Sequence, residues 1–281
     1  MVEGGVLGAV SLRLGVTLLC DQCGFGYAPG RPVIRGVSAA FSPGRVTGVI
    51  GPNAGGKTTL LRLLAGLRTP ERGRVTLAGA GIGEMSVSER ARRLVFVPQR
   101  SEVAFAFAAR EIVALGGLGA EGRAAERVER ALAAVELGDV GETVFSNLSA
   151  GQQQRATLAR ALVQVDAWNE GGGHRFVLAD EPVSAMDPKH AVSALDVLRD
   201  VAARGIGVVC VLHDLALVLR FCDDVLLLKQ DGTVLALGPT RETLTPERLE
   251  ELYGVGFETL RGERGDAAGF IPVAGPAMTL R

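Results

Sequence analysis

The sequence predicts an α/β fold: a mostly parallel sheet with helices on both faces, interrupted by a helical insertion. Two observations carry this expectation. Short, continuously apolar runs at 46–50, 176–179, 208–212 and 225–228 have the length and composition of buried strands, and helical stretches separate them. Strands alternating with helices pack as a parallel sheet with both faces covered. Residues 101–165, by contrast, read as mostly helical. A chain of 281 residues can bury a sizeable core as one large domain or two small ones.

Taken in order, residues 1–16 read as a loosely attached leader ahead of one domain over 17–258. From Thr17 to about Gln99, short apolar runs alternate with Gly/Pro turns. The strand at 46–50 is followed by a helix that places Leu60, Leu61, Leu64 and Leu67 at helical spacing. Inside the insertion, Ala125, Val128, Leu132 and Val135 form an amphipathic stripe, with Glu126, Arg127, Glu129 and Arg130 on the other faces. Thr245-Pro246-Glu247 reads as the N-cap and first turn of a short helix that ends at Gly254. Residues 259–281 are expected to be a flexible tail, Gly/Pro/Ala-rich and without periodicity beyond Gly262.

Composition excludes several classes of function. Lys and Arg number 30 against 31 Asp and Glu, for a net charge of -1, which argues against coating nucleic acid. Aromatics at 5% argue against a stacking platform for single strands, so no nucleic-acid partner is expected. No apolar run reaches the roughly 18 residues that span a bilayer. The apolar stretch at 6–20 is broken by Arg13 and lacks a basic leader, and Leu19 is too large for a lipoprotein cleavage site, so a cytoplasmic protein is expected. Cys20 and Cys23 have redox or metal spacing, but Cys210 and Cys222 complete no zinc pattern. All four read as small hydrophobes.

The chemistry begins at Gly51-Pro52-Asn53-Ala54-Gly55-Gly56-Lys57-Thr58, which fits G-x-x-x-x-G-K-[ST] between a strand and a helix. Successive backbone N–H groups of such a loop wrap a β-phosphate, and glycines let the backbone approach it. Lys57 is placed for the β- and γ-phosphates, and Thr58 offers a hydroxyl to Mg²⁺. Thr59 completes the candidate nucleotide-binding segment. The bland alternative is a Gly-rich turn containing one of the chain's three lysines, the others being Lys189 and Lys229.

Phe176-Val177-Leu178-Ala179 ends in two carboxylates. Asp180 is placed to hold Mg²⁺ through water, and Glu181 to polarise an attacking water. Between loop and acidic strand lies Leu148-Ser149-Ala150-Gly151-Gln152, followed by Gln153-Gln154-Arg155 and an Ala/Leu-rich helix. In this order the motifs resemble those of the nucleotide-binding subunits of ATP-binding cassette (ABC) transporters, whose signature is Leu-Ser-Gly-Gly-Gln. The resemblance covers roughly residues 17–258. It implies a P-loop NTPase (RecA-like) fold with a helical subdomain at about 101–165 and a small antiparallel β subdomain.

The resemblance also implies roles. Gln99 matches the Q-loop glutamine that contacts the metal site, Asp187 in Ser184-Ala185-Met186-Asp187 the residue that communicates across the dimer, and His213 the switch histidine near the γ-phosphate. Tyr27 suits the aromatic that stacks on adenine, with packing at a strand edge as the alternative. Two cassettes would face head to tail, with ATP and Mg²⁺ held by one P-loop and by Ser149, Gly151 and Gln152 of the other subunit, and with Glu181, His213, Gln99 and Lys57 serving hydrolysis. The sequence departs from the family pattern where Ala54 and Gly55 reverse the usual order, where Ala150 replaces a glycine, and where Ala179 and Met186 replace leucines. Ala150 is expected to weaken the dimer site if its backbone demands glycine.

Within the family the resemblance points to importers of iron chelates, heme and cobalamin, through Ala104-Phe105-Ala106-Phe107, Arg110-Glu111-Ile112-Val113-Ala114-Leu115-Gly116 and Val211-Leu212-His213-Asp214-Leu215. The polar segment at 168–175, with Trp168 and His174, ranks heme ahead of ferric siderophore. A direct heme-ligand role for those two residues competes with a plain surface loop. The implied partners are a transmembrane permease dimer and, indirectly, a substrate-binding protein, at the cytoplasmic face of the inner membrane. Phe105 and Phe107 either line the groove for a permease helix or pack in the core. Cassettes acting on ribosomes or DNA carry two cassettes or long coiled coils, whereas here fewer than 50 residues separate Gln99 from Leu148. A cassette acting in assembly without a permease stays open as an alternative.

Overall fold

The computed structural model describes residues 18–273 apart from 102, 104, 121, 169–174, 264 and 266. The leader at 1–16, His174 and the chain beyond 273 lie outside the described residues.

The strand β3 (Val46–Ile50) is buried along its whole length. It pairs in parallel with β8 (Gly207–Val211) on one side and β9 (Asp224–Leu228) on the other. Beyond β8 come β7 (Phe176–Ala179) and β6 (Leu94–Val97), also parallel. The edge strand β10 (Val234–Pro239) runs antiparallel to β9. The six-stranded order is therefore β10-β9-β3-β8-β7-β6.

Burial on both faces explains why these strands read as unbroken apolar runs rather than alternating ones. Alternate residues serve different cores: Val208, Cys210 and Leu212 belong to one, Val209 and Val211 to the other. The second core lies under a four-stranded antiparallel sheet of order β2-β1-β4-β5, built from β1 (Leu18–Ala28), β2 (Arg31–Phe41), β4 (Arg72–Leu77) and β5 (Ala80–Gly81). Between the two sheets runs α1 (Lys57–Leu64), which buries Leu60, Leu61, Leu63 and Leu64. α1 stops where Gly66 takes left-handed backbone (φ 65°), and Leu67 donates its N–H to Arg62 O at 2.9 Å. Leu67 is thus exposed, not a fourth member of the helical stripe.

α2 (Val87–Arg93) leads into β6. The helical insertion comprises α3 (Ala109–Ala114), α4 (Ala124–Ala134) and α5 (Ala150–Ala167), and it joins the first core. Val128, Leu132 and Val135 of the expected stripe are buried, but Ala125 is exposed and Arg127 takes its place inside. An arginine can line such a face because its aliphatic stem covers apolar surface. All four cysteines are buried in the two cores.

After β7 come α6 (Pro188–Ala203) and, beyond β8, α7 (Leu215–Phe221). Beyond β10 come α8 (Thr240–Thr243) and α9 (Pro246–Tyr253), the latter capped by Thr245 and closed by left-handed Gly254 as its sequence predicts. The chain then departs from expectation. In place of a flexible tail from 259, β11 (Gly256–Arg261) and β12 (Ala267–Val273) form an antiparallel hairpin. Phe257 and Phe270 pack against the first core, and the Phe257 ring lies 5.9 Å from that of Tyr253. Among the described residues no helix is long and apolar enough to cross a membrane.

Candidate nucleotide-binding site

The site lies at the carboxyl ends of four adjacent parallel strands, where open α/β sheets place their ligand crevices. β3 delivers the Gly-rich loop, β7 delivers Asp180 and Glu181, β8 leads to His213, and β6 to Gln99.

The loop is shaped by close backbone approaches. A Cβ on Gly51 would come within 2.0 Å of Leu228 O on β9, so only glycine fits there. The reversed pair at 54 and 55 also becomes intelligible. Ala54 takes the left-handed backbone (φ 61°), while Gly55 stands where a Cβ would meet Lys229 O and Pro52 O, both at 3.1 Å. Lys57 is 6% exposed, and its Nζ donates to Gly51 O and Pro52 O, each at 2.9 Å, so the ammonium occupies the middle of the loop. Burial pushes its pKa below that of an ordinary lysine, partly opposed by Glu181 and Asp180.

Thr58 Oγ1 donates to Asp180 Oδ1 at 3.0 Å. Burial raises the Asp180 pKa, against the pull of the Thr58 hydrogen bond. Two hard oxygen donors thus meet beside Lys57, a chemistry that suits Mg²⁺. The neighbouring Glu181 carboxylate is held from two sides: Gln99 Nε2 donates to Oε2 at 2.6 Å, and His213 Nε2 lies 2.7 Å from Oε1. Gln99 is therefore brought to Glu181 rather than to the Thr58–Asp180 pair. Glu181 itself has left-handed backbone, φ 50°.

Ser149 caps α5 and forms a reciprocal box with Gln152: Ser149 Oγ accepts from Gln152 N at 3.3 Å, and Ser149 N donates to Gln152 Oε1 at 2.9 Å. This leaves an exposed helix N-terminus at the signature. Ala150 opens the helix and is not among the residues with positive φ, so its backbone does not demand glycine. Gly151 does have a reason, because a Cβ there would lie 2.8 Å from Ala185 O. Asp187 caps α6, accepting from His190 N at 3.1 Å with the His190 ring 2.6 Å away; these contacts hold its carboxyl below the usual range.

Tyr27 is 54% exposed, and its hydroxyl lies 3.2 Å from Thr59 Oγ1 just past the loop. Its ring meets Phe25 edge-on at 5.1 Å, with the Arg68 guanidinium 5.8 Å from the ring centre. This exposure leaves the ring accessible, while the Phe25 contact near the end of β1 is what packing at a strand edge also gives. Phe105 and Phe107 are likewise open, at 72% and 40%, which removes the core reading for them. Trp168 has its ring 4.5 Å from the Arg92 guanidinium of α2. Sequence reasoning missed Gln154, a buried amide that hydrogen-bonds the backbone on both sides of the turn after β7.

Fold and site together define a P-loop nucleotide hydrolase carrying a helical insertion and a second, antiparallel sheet. The chain belongs to the ABC transporter family, whose model matches residues 34–184. It is 39% identical over 228 residues to the hemin import ATP-binding protein HmuV of Rhizobium meliloti, covering 80% of this chain and 87% of that protein. The proteins of the same name from Pseudomonas entomophila and Gloeobacter violaceus are 41% and 38% identical, over 79% and 90% of this chain and 87% and 92% of their own lengths. Among solved structures, a metal-chelate type ABC transporter in an inward-facing conformation superposes with a TM-score of 0.74 at 26% identity, covering 92% of this chain and 98% of that one. A dimeric ATP-binding cassette in a post-hydrolysis state with ADP and Pi gives a TM-score of 0.69 at 27% identity, over 81% and 99%. The chain is an ABC-type ATPase subunit.

Proposed function

We propose that this subunit energises uptake of heme, with a ferric siderophore as the second choice, through a separate permease. Its relatives named for hemin import support that cargo, and the metal-chelate transporter supports the wider class. The proposed assembly is a homodimer of cassettes on a permease dimer at the cytoplasmic face of the inner membrane, with a substrate-binding protein engaged only through the permease. Exposed Phe105 and Phe107, 6.0 Å apart and edge-on, are the proposed lining of the groove that receives a permease helix.

The observation that carries the ATPase mechanism is the Glu181 carboxylate, gripped by Gln99 and His213 beside the Thr58–Asp180 pair. In this reading the loop amides and Lys57 hold the phosphates, and Tyr27 holds the adenine. Thr58 and Asp180 would hold Mg²⁺, which supplies charge neutralisation on the phosphates. Glu181 orients and polarises the attacking water, and His213 fixes the carboxylate. Ser149, Gly151 and Gln152 at the N-terminus of α5 would meet the γ-phosphate of the opposite subunit, where the helix dipole favours an anion. Asp187 is the proposed link across the dimer. Positioning and charge, rather than covalent steps, supply the rate.

Glu181→Gln should abolish turnover while ATP still binds and a stable dimer accumulates. Phosphate release and size-exclusion chromatography with ATP check both halves. Turnover at the wild-type rate would refute the role.

A further inference from the structure

The proposed catalytic carboxylate hangs from a left-handed backbone that its own turn supports only in part. Glu181 holds φ 50°, a left-handed conformation that costs a non-glycine residue of order 1–3 kcal/mol unless its surroundings enforce it. Its carbonyl receives Ser184 Oγ at 3.2 Å and Ser184 N at 3.3 Å, both from within the same turn. The third donor comes from elsewhere: Gln154 Nε2 on α5 reaches Glu181 O at 2.5 Å. The same amide accepts from Ala185 N through Oε1 at 3.0 Å, and its Nε2 lies 3.4 Å from Ser184 Oγ. Gln154 is 5% exposed, so it exchanges neither bond readily for water. One turn earlier, Gly151 lets the helix lie directly on Ala185 O. A single buried amide thus fastens the signature end of α5 to both sides of the 181–185 turn.

We infer that Gln154 is a positioning residue that ties the placement of the Glu181 carboxylate to the placement of α5. The inference rests on the ATPase reading above. In that reading the N-terminus of α5 serves the opposite subunit's nucleotide, while Glu181 serves its own. Gln154 is then the connection inside one chain between the two nucleotide sites of the dimer. Loss of its bonds releases Glu181 from the left-handed backbone and disconnects it from the signature, without touching the phosphate loop.

Two variants test this in the full-length protein. Gln154→Met keeps the volume and removes both bonds; kcat should fall about tenfold and the Hill coefficient for ATP drop toward one, with the Kd of a fluorescent ATP analogue unchanged within about twofold. Gln154→Glu keeps the acceptor for Ala185 N but sets a carboxylate against the Glu181 carbonyl. Its kcat, relative to wild type at each pH, should recover as the pH falls from about 8.5 to about 6, because the protonated acid donates again and burial raises its pKa. Wild-type kcat and cooperativity in Gln154→Met would overturn the inference. So would a Gln154→Glu deficit that does not change with pH, and that arm decides the matter if Gln154→Met fails to fold. A wild-type protein without ATPase activity would instead bring down the underlying reading.

Discussion

Two non-glycine residues at the site, Ala54 and Glu181, hold left-handed backbone, and they do so for different reasons. Ala54 carries the strain, while the glycine of the pair stands at 55, where a Cβ would crowd two backbone carbonyls at 3.1 Å. Ala54→Gly should therefore stabilise the fold by about 0.5–1 kcal/mol, read as a rise of about 1–3 °C in Tm. Asp180 offers a test with opposite signs. Burial raises its pKa, so its contribution to the stability of the ligand-free protein is greatest when it is protonated and falls as pH rises through that value. Mg²⁺ needs the ionised form. Stabilisation by added Mg²⁺ and ATP should thus shrink as pH drops toward Asp180's raised pKa, above the ordinary value near 4, and Asp180→Asn should lack this pH dependence; thermal shifts across pH check it. At this scale residue type and spacing single out Lys57, Thr58, Asp180 and Glu181 in the sequence, whereas His213 came only with the family resemblance. Gln154 was not legible, because an amide in a helix shows its partners only after a turn from another strand folds against it.

Among the elements, α5 and the last hairpin show what periodicity can and cannot find. The helix after the signature is legible from its Ala/Leu-rich composition, and in the structure α5 begins at Ala150 under the box of Ser149 and Gln152. β11 and β12 left no comparable mark: β11 is only six residues long, glycine and proline interrupt β12, and Phe257 and Phe270 of the hairpin pack on the first core. The chain just before α3 also leaves Phe105 and Phe107 exposed. Alanine at both positions should leave basal ATPase activity and Tm within error but lower cargo transport per ATP in proteoliposomes, by several-fold. A drop in Tm with transport intact would return them to a purely structural role.

For the whole molecule, the parallel sheet was legible from its apolar runs because burial on both faces removes any alternation. The antiparallel sheet came only with the family resemblance, since its strands β1 and β2 carry polar residues and bulged registers that weaken the pattern. The cargo is a property of the assembly, not of this chain. With the cognate permease and binding protein in proteoliposomes, heme should raise the ATPase rate several-fold above that with cobalamin; equal stimulation by a ferric siderophore would move the assignment to that class.

The length of α5 relative to its fastening point gives the molecule a mechanical ratio. Gln154 sits about 6 Å along the axis from Ala150, and roughly 20 Å of helix continues beyond it to Ala167, at 1.5 Å per residue. The far end is itself attached: Gln164 Nε2 donates to Ala91 O at 2.8 Å, and Trp168 meets Arg92. A tilt about Gln154 that moves the signature end by 1 Å therefore moves the α2 attachment by about 3 Å. Rotation of a rigid α5 about its fastening beside the 181–185 turn would thus be larger at the α2 end than at the signature end.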